Sequence, residues 1–522
     1  MFDSSVLLLC VLPLIGGLVI SVLPAKAVGL SRGGALVVMQ LVLVNTLYVF
    51  FSFKGGDAGT LATNHPWSAL FGGNLHLAVD GLNLYLLLLT ALLFPVVLLC
   101  TWTSEESRRP LFLVLMLCLE AGLMGTFLSQ NLLLFFVCWE AVLIPMFIMI
   151  LVFGAENARK AALTFFLYTM AGSVLLLAAV ILLGVKAWQQ TGLWSFDYAT
   201  LLNLQLDAGT EYFVFAAIVL ACAVKCPLFP FHSWLPLTYS EAPPAGTAIM
   251  AGALSKMGAF ALIKLAVPLC PQAAVLFAPW LIVLATVSIL YGAIMALRQV
   301  DFKLLVAYSS LSHMGYIVLG MFSFYETALH GALFQILSHG LVVGGLFLLL
   351  GLMEQHLGAD YRKLTALSTT APRLAVVVLL FVLGSMALPL TSGFTGEFMV
   401  LLGAFQVAFA KWQAGAGGLT LAAVLAACSG MVLGAGYMLR FARTLLFGRN
   451  REEIAMADLK VRESLAFVPL LLLILWVGLA PAPFMDKVQP TVSSVIERLD
   501  NIVTPDAEVT LVDPLNGGSL EH

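Results

Sequence analysis

Charged residues are scarce in this chain. Asp, Glu, Lys and Arg make up only 10% of its 522 residues, against about 25% in an ordinary soluble domain. The formal net charge is −3, and no basic stripe is present that would neutralise phosphates, which excludes nucleic-acid binding. Hydrophobic residues account for 61% of the chain. The composition therefore predicts a polytopic membrane protein surrounded by lipid.

Motifs for metals and redox cofactors are also missing. The eight cysteines form no C-x-x-C pair and have no histidine at zinc spacing, which argues against zinc and iron–sulfur ligation. No G-x-G-x-x-G occurs, and the glycine clusters at 415–418 and 434–436 have neither its spacing nor a strand before them. We therefore expect no metal, nicotinamide or flavin site on this chain.

Long apolar windows divide the chain into membrane spans. About 20 apolar residues are needed to cross roughly 30 Å of hydrocarbon as a helix. The chain holds about fourteen such windows, which predicts an all-α polytopic membrane protein. The predicted helices lie near 4–23, 34–53, 81–102, 111–128, 131–154, 162–186, 211–236, 246–268, 274–297, 303–322, 327–353, 374–408, 418–445 and 464–481.

The basic residues are divided unequally between alternate connections. One set of connections holds seventeen Lys and Arg residues, and the other set, with the tail, holds five. The positive-inside rule places the richer set in the cytoplasm. With an even number of spans, both termini are expected on the periplasmic side of the inner membrane. The polar tail after Asp486 is a candidate for docking on a neighbouring subunit.

Proline interrupts two of these spans beside a charge. In the seventh span Pro227 and Pro230 follow Lys225, and in the twelfth span Pro389 and two glycines precede Glu397. Proline removes a backbone donor and clashes with the preceding turn, and the glycines are expected to unwind a further turn. Paired interrupted helices are typical of inverted-repeat transporters, in which the site lies between the repeats.

This symmetry divides the chain into four parts, with two inverted five-helix repeats at its centre. The parts are helices 1–3 in 1–110, helices 4–8 in 111–268, helices 9–13 in 269–445, and the last helix with the tail in 446–522.

Six titratable residues lie near mid-span, where a charge costs roughly 2.5–3.5 kcal/mol. Glu140 in the fifth span and Lys225 in the seventh are a natural pair, because a carboxylate restores the proton that a buried lysine otherwise loses. Movement of Glu140 towards or away from Lys225 would load and eject a proton. The alternatives are a structural carboxylate bonded to a neighbouring helix and a lysine that snorkels to the interface.

The other four candidates continue this series. Lys256 in the eighth span is placed to receive a proton from Lys225, and Glu397 in the twelfth span to act as the last donor. His313 and His339, in the tenth and eleventh spans, titrate near neutrality and suit a hydrated relay. For each histidine the alternative is a hydrogen-bonded packing residue.

Three further charges are weaker candidates. Glu120 is either a secondary proton site or a helix-packing group. Lys264 lies near the end of the eighth span and is expected to snorkel to the interface. Asp80 opens the third span and is expected to act as an interfacial cap.

Read in order, these motifs closely resemble the subunit M family of respiratory NADH:quinone oxidoreductase (complex I), whose members are antiporter-like proton-pumping membrane subunits. Most of the motifs are shared with the wider antiporter-like family, whereas the segment 458–463 is typical of subunit M. The motifs are Phe136-Val137-Cys138-Trp139-Glu140, Lys225-Cys226-Pro227, His232-Ser233-Trp234-Leu235-Pro236, Tyr308-Ser309-Ser310-Leu311-Ser312-His313-Met314-Gly315, His339-Gly340 and Gly393-Phe394-Thr395-Gly396-Glu397-Phe398. Among the departures from the family pattern, Leu390 replaces a glycine after Pro389.

The resemblance implies roles for the six candidates. Glu140 and Lys225 correspond to the family's ion pair and Lys256 to its central lysine. The two histidines correspond to connecting groups, and Glu397 to the terminal glutamate.

The resemblance also implies a function and partners. It implies a proton-translocating subunit without a redox centre, within an enzyme whose NADH, FMN, iron–sulfur clusters and quinone bind to partner subunits. The expected neighbours are the antiporter-like paralogues L and N. Two alternatives stay open: a subunit of an Mrp-type cation/proton antiporter, and a non-pumping membrane scaffold.

Overall fold

The computed structural model describes residues 2–24, 26–55, 61–68, 72–448, 454 and 456–503. In this part of the chain, thirteen helices are at least 18 residues long and apolar enough to cross a membrane. The shorter apolar helix Leu84–Cys100 brings the number of spans to fourteen. The predicted all-α membrane fold is confirmed.

The fifth, seventh and twelfth spans each consist of two helices, and the fifth is divided at Val142 into Leu132–Ala141 and Leu143–Phe153. In chain order, the fourteen spans are Phe2–Val22, Val28–Ser52, Leu84–Cys100, Pro110–Leu128, Leu132–Phe153, Ala158–Thr191, Ala208–Lys225 with Trp234–Glu241, Pro244–Leu269, Pro271–Arg298, Phe302–Phe322, Glu326–Leu357, Pro372–Ser385 with Ser392–Gln413, Gly418–Phe447, and Val461–Leu479.

The structure contains a β-hairpin in addition to the helices. Its strands, β1 (Ala62–Ser68) and β2 (Gly73–Ala78), pair antiparallel in the connection after the second span. The carbonyl of His76 accepts a hydrogen bond from the Gln130 amide at 2.8 Å, which ties the hairpin to the start of the fifth span. The sequence analysis missed this hairpin because it searched the connections for charge rather than for strand alternation.

The eighth and eleventh spans form the centre of the molecule. The most apolar stretch of each is fully buried, whereas in each of the first two spans 33% of that stretch is buried. A helix that is hydrophobic on all sides is stable only when other helices surround it or lipid does. Here other helices surround both spans, so their polar residues are held away from lipid.

Glycine lets these two central spans cross at close range. A Cβ added to Gly340 would lie 2.7 Å from the carbonyl oxygen of Gly252. Small residues at helix crossings allow backbones to approach in membranes. Since Lys256 lies one turn after Gly252, and His339 directly precedes Gly340, the crossing brings these two candidate residues side by side.

Both predicted helix breaks are present. The helix Ala208–Lys225 ends at Lys225 itself, and the chain becomes helical again at Trp234. The twelfth span is broken between Ser385 and Ser392. Each break therefore stands beside its mid-membrane charge.

The two glycines of the twelfth span do not unwind it, contrary to expectation. Gly393 and Gly396 lie inside the helix Ser392–Gln413. Their role is close packing, since an added Cβ would lie 2.4 Å from the Gly384 carbonyl at position 393 and 2.6 Å from the Gln335 Oε1 at position 396. The break is made by the preceding segment around Pro389.

Leu390 carries backbone strain in this break. Its φ is +80°, a left-handed conformation that costs an L residue roughly 1–2 kcal/mol. Following Pro389, it occupies the turn position at which glycine is favoured. The family pattern has glycine at this position, and the geometry explains why.

Replacement of Leu390 by glycine is expected to stabilise the protein. The relief of roughly 1–2 kcal/mol exceeds the roughly 0.4–1 kcal/mol by which glycine favours the unfolded chain, and the leucine side chain is 62% exposed. Thermal denaturation of the detergent-solubilised protein should show a higher midpoint. Leu388→Gly is the control, because Leu388 lies in the same break without a positive φ and its replacement should lower the midpoint. Equal shifts in both variants would contradict the assignment of strain.

An amphipathic helix follows the last span. Ala482–Val503 packs against the protein's own chain. The Lys487 ammonium donates to the carbonyls of Phe50 and Phe53 at 2.9 and 2.8 Å, and Arg498 Nε donates to the Pro268 carbonyl at 3.1 Å. This helix thus packs on its own chain, and residues 504–522 lie outside the described part, so docking of the tail on a neighbouring subunit stays a prediction.

Candidate functional site

His313 and Glu397 form a buried hydrogen-bonded pair. The Nδ1 of His313 lies 2.6 Å from the Oε1 of Glu397. The Nε2 of Gln335 donates to the same carboxylate oxygen at 3.0 Å. The tenth, eleventh and twelfth spans are joined at this point by one carboxylate, which is 3% exposed.

His339 lies next to this pair without touching it. The centroids of the His339 and His313 rings are 5.4 Å apart, and neither nitrogen of His339 has a hydrogen-bond partner within the described residues. A cavity lined by both histidines, Glu397 and hydroxyls such as Ser338 adjoins them, with about 10 Å³ open to the centre of a water molecule. That is close to the minimum for one water, which fits a polar bridge between the rings.

Lys256 is fully buried at the centre of the eighth span. Its ammonium donates to the Ala251 carbonyl and to the Ser255 hydroxyl, the latter at 3.3 Å. The π-helical turn Met250–Leu254 precedes it, and such turns are frequent at functional sites. His339 lies within electrostatic range of both Lys256 and His313.

Lys225 and Glu140 are neighbours but do not form the expected ion pair. The Lys225 ammonium has no hydrogen-bond partner in the described structure, and neither has the Oε1 of Glu140. The ammonium lies instead 4.9 Å from the centroid of the Trp139 ring, a favourable cation–π arrangement. The Trp139 indole is fixed by donating to the Ser173 hydroxyl at 3.0 Å. Glu140 still acts electrostatically on Lys225.

The helix of Lys256 meets the end of the Lys225 helix at a close backbone contact. A Cβ added to Gly258 would lie 2.9 Å from both the Cys222 carbonyl oxygen and the Cys226 nitrogen. Cys226 is also in contact with the Ser255 carbonyl, 3.6 Å from its Sγ. The two lysines therefore occupy adjacent turns of packed helices.

Together these contacts place all six predicted residues in one row. We call it the charged row, and its order is Glu140, Lys225, Lys256, His339, His313 and Glu397. Five of the six are buried, and Glu140 is partly buried. The row runs through the centre of the molecule from the fifth span to the twelfth.

The two ends of the row have matching positions in the chain. Glu140 and Lys225 are 85 residues apart, and His313 and Glu397 are 84 residues apart. In the first pair the acid precedes the base, and in the second the base precedes the acid. The equal spacing supports the two predicted five-helix repeats, whose boundaries stay a prediction.

Two polar residues at the site were missed by the sequence analysis. Gln335 binds Glu397, and the Tyr437 hydroxyl lies 3.4 Å from the Nε2 of His313 and 2.9 Å from the Ser309 hydroxyl. Gln335 could have been predicted from its spacing, since it lies one helical turn before His339 and so shares its helix face. Tyr437 could not have been predicted, because its contact with His313 joins spans that are far apart in sequence.

The three weaker candidates have different environments. Glu120 is fully buried, and neither of its oxygens has a partner among the described residues. Lys264 does not snorkel to the interface, because its ammonium binds Asp80 Oδ2 at 2.5 Å with only 8% of its side chain exposed. Asp80 Oδ1 accepts from the Leu82 and Asn83 amides in the turn before the helix Leu84–Cys100, whose N-cap residue is Asn83, so Asp80 lies next to the cap position rather than at it.

Residues 129–426 match the family described as NADH:quinone oxidoreductase/Mrp antiporter, transmembrane. NADH-quinone oxidoreductase subunit M of Pseudomonas aeruginosa is 35% identical, over 92% of this chain and 94% of that protein.

Two solved structures have the same fold. A chain of respiratory complex I from Thermus thermophilus with bound NADH has a TM-score of 0.84 and 32% identity, covering 95% of this chain and 99% of that one. A chain of the Mrp complex from a Dietzia species has a TM-score of 0.78 and 20% identity, covering 95% of this chain and 55% of that one.

Proposed function

The chain belongs to the family of antiporter-like membrane subunits of NADH:quinone oxidoreductase, the subunit M proteins, and from this premise we propose that it translocates protons within such a complex. The observation that carries the proposal is the charged row. Six titratable side chains that are expensive to hold in a membrane lie in sequence through the buried centre of one subunit.

The enzyme activity belongs to the complex as a whole. In this proposal NADH, FMN, the iron–sulfur clusters and quinone bind to partner subunits, and this chain supplies only the proton path. The antiporter-like paralogues L and N are its expected neighbours in the inner membrane. The distribution of basic residues supports a periplasmic position for both termini.

The pair of Glu140 and Lys225 serves as the switch. With the carboxylate close, the ammonium is stabilised and keeps its proton; with the carboxylate withdrawn, burial favours the neutral amine and the proton is released. Opposite charges at 4 Å attract by about 4 kcal/mol at an effective dielectric constant of 20. One proton moved against 100 mV requires about 2.3 kcal/mol. The change in interaction free energy when this pair opens or closes is therefore large enough to drive the transfer.

The proton released by Lys225 passes along the row. Lys256 accepts it on the adjacent turn, and His339 accepts it on one ring nitrogen while it releases a proton from the other. The free nitrogens of His339 suit this exchange, and a water in the adjoining cavity bridges to His313. Glu397 receives the proton from His313 over 2.6 Å.

An Mrp-type cation/proton antiporter subunit is the second candidate. The fold of the Mrp chain supports it, but its 20% identity carries only the fold. Vesicles containing the chain but no NADH-oxidising subunits would show sodium-dependent proton transport if this alternative held.

Purification with partner subunits tests the proposal directly. An affinity-tagged chain, extracted in mild detergent, is expected to bring down NADH-oxidising subunits, because a subunit without redox groups works only in contact with them. NADH oxidation in vesicles of the native membrane should then acidify one side, and deletion of this chain should remove that signal. Recovery of the chain with cation-antiporter subunits alone would contradict the proposal.

A further inference from the structure

A buried ion pair lies away from the charged row. Asp80 Oδ2 and Lys264 Nζ are 2.5 Å apart, and their side chains are 12% and 8% exposed. The ammonium also lies 4.4 Å from the centroid of the Tyr198 ring. The other carboxylate oxygen accepts from the backbone amides of Leu82 and Asn83 at 3.0 and 2.9 Å. The pair is thus held in one geometry by three structural elements.

This pair lines an open pocket, which we call the vestibule. Its volume is about 550 Å³, and its walls include the hairpin strand β2, the end of the eighth span and the helix Ala482–Val503. A second titratable pair adjoins it, since His76 in the wall lies 2.5 Å from Asp197 through its Nδ1. A space of this size, with several polar groups in its wall, holds many waters.

Both cations of the vestibule wall are engaged by protein acceptors, which favours water over a bound anion. Lys264 is occupied by Asp80. Arg498, the other strong cation of the wall, donates to the carbonyls of Pro268 and Leu202. A phosphate headgroup would need a free cation, and both cations already have partners. The ligand chemistry that fits is water and the protons it carries.

Lys264 stands on the same helix face as the central lysine of the row. Lys256, Phe260 and Lys264 follow one another at four-residue steps, which places them on one face, and the two lysines are about 12 Å apart along the helix axis. Lys264 lies in the π-helical turn Leu262–Ala266. Phe260 separates the lysines and packs against the rings of Phe127 and Phe135, with centroids 5.5 and 6.4 Å away.

We propose that Asp80 and Lys264 form a proton-exchange site through which Lys256 communicates with the vestibule, with the Phe260 ring as the apolar gate between them. The proposal rests on the proposed proton-translocating function and adds a branch to it that does not pass through Glu397. In the step, the Lys264 ammonium passes one proton to the Asp80 carboxylate across their contact, which leaves a neutral amine and a neutral acid. The acid releases that proton to a vestibule water and is ionised again. A proton from the Lys256 ammonium, carried by water when the ring moves aside, restores the Lys264 ammonium.

The test measures proton translocation per quinone reduced by the assembled complex in vesicles. Lys264→Met is expected to lose more than half of the translocation, and so is the double variant Asp80→Asn with Lys264→Met. The double variant leaves no unpaired charge, so a merely structural pair predicts that it recovers translocation. Lys186→Met is the control, because Lys186 forms an exposed pair with Asp207 at 2.8 Å and should not change translocation. Recovery in the double variant, or full translocation in Lys264→Met, would overturn the proposal.

Two further variants separate this inference from the function on which it rests. Lys225→Ala, in the same preparation, is expected to abolish translocation; if it does and Lys264→Met pumps normally, the branch alone is refuted. If Lys225→Ala also pumps normally, the proposed function fails as well. Phe260→Ala keeps every charge and should open the gate, so that an imposed pH gradient decays faster than in vesicles with the unchanged chain. An unchanged decay rate would contradict the gate and the path behind it, even if the Lys264 variants do not assemble.

Discussion

Replacement of Lys256 by methionine is expected to abolish proton translocation while NADH oxidation with an artificial electron acceptor continues. Lys256 is the only amine of the described row between Lys225 and His339, and it is fully buried. Methionine has a similar length and fits an apolar site, but it cannot carry a proton. The row would then be interrupted at its centre, and a proton released by Lys225 would have no acceptor on the adjacent helix.

The same variant separates a functional role from a structural one. A lysine at mid-membrane costs roughly 2.5–3.5 kcal/mol on insertion scales, so its removal is expected to leave the protein as stable as before or more stable. Assembly of the complex, followed on native gels, should therefore be retained. Lys487→Met is a matched control, because that lysine lies outside the row and donates to two carbonyls. Normal translocation in Lys256→Met would favour the scaffold alternative, in which the buried charges are inert.

The sequence predicted much of the fold and the two lysines and two glutamates of the row, because charge is so costly in lipid that such a residue at mid-span stands out from its surroundings. The two histidines were predicted because imidazole titrates near neutrality. The breaks after Lys225 and before Glu397 were predicted from proline, which removes a backbone donor, although Pro95 and Pro279 lie inside continuous helices. These are local properties, readable within a few residues.

What the sequence did not predict depends on contacts between distant segments. From the sequence, Lys264 was expected to snorkel to the interface. In the structure it binds Asp80, which lies 184 positions away in the chain. Gly393 and Gly396 follow Pro389 and were expected to unwind the helix. They are helical instead, because neighbouring segments pack closely against them. The positive φ of Leu390 also follows from the tertiary structure, and the sequence showed only a departure from the family pattern.

The distance between Glu140 and Lys225 could likewise not be predicted from the sequence. Glu140 and Lys225 were expected to pair, and the structure holds them apart while His313 and Glu397 are in contact at 2.6 Å. The two pairs therefore differ: the second is in hydrogen-bonding contact, and the first is not. Spacing in the sequence gives the partners of such a pair but not the distance between them.

Glu140→Gln is expected to have the second large effect, a loss of most proton translocation. Glutamine keeps the size of the side chain but cannot ionise, so it cannot stabilise the Lys225 ammonium when it approaches. Lys225 would stay over the Trp139 ring and would favour its neutral form throughout the cycle. Glu140→Asp keeps an ionisable carboxylate on a chain one methylene shorter, and it should retain most of the activity.

The number of protons translocated per quinone reduced, compared between Glu140→Gln and Glu140→Asp, tests the central claim most directly. If proton transfer depends on a buried carboxylate that acts on Lys225, the ratio falls sharply in the glutamine variant and stays near its original value in the aspartate variant. An unchanged ratio in Glu140→Gln would contradict the claim that this row of side chains carries the protons.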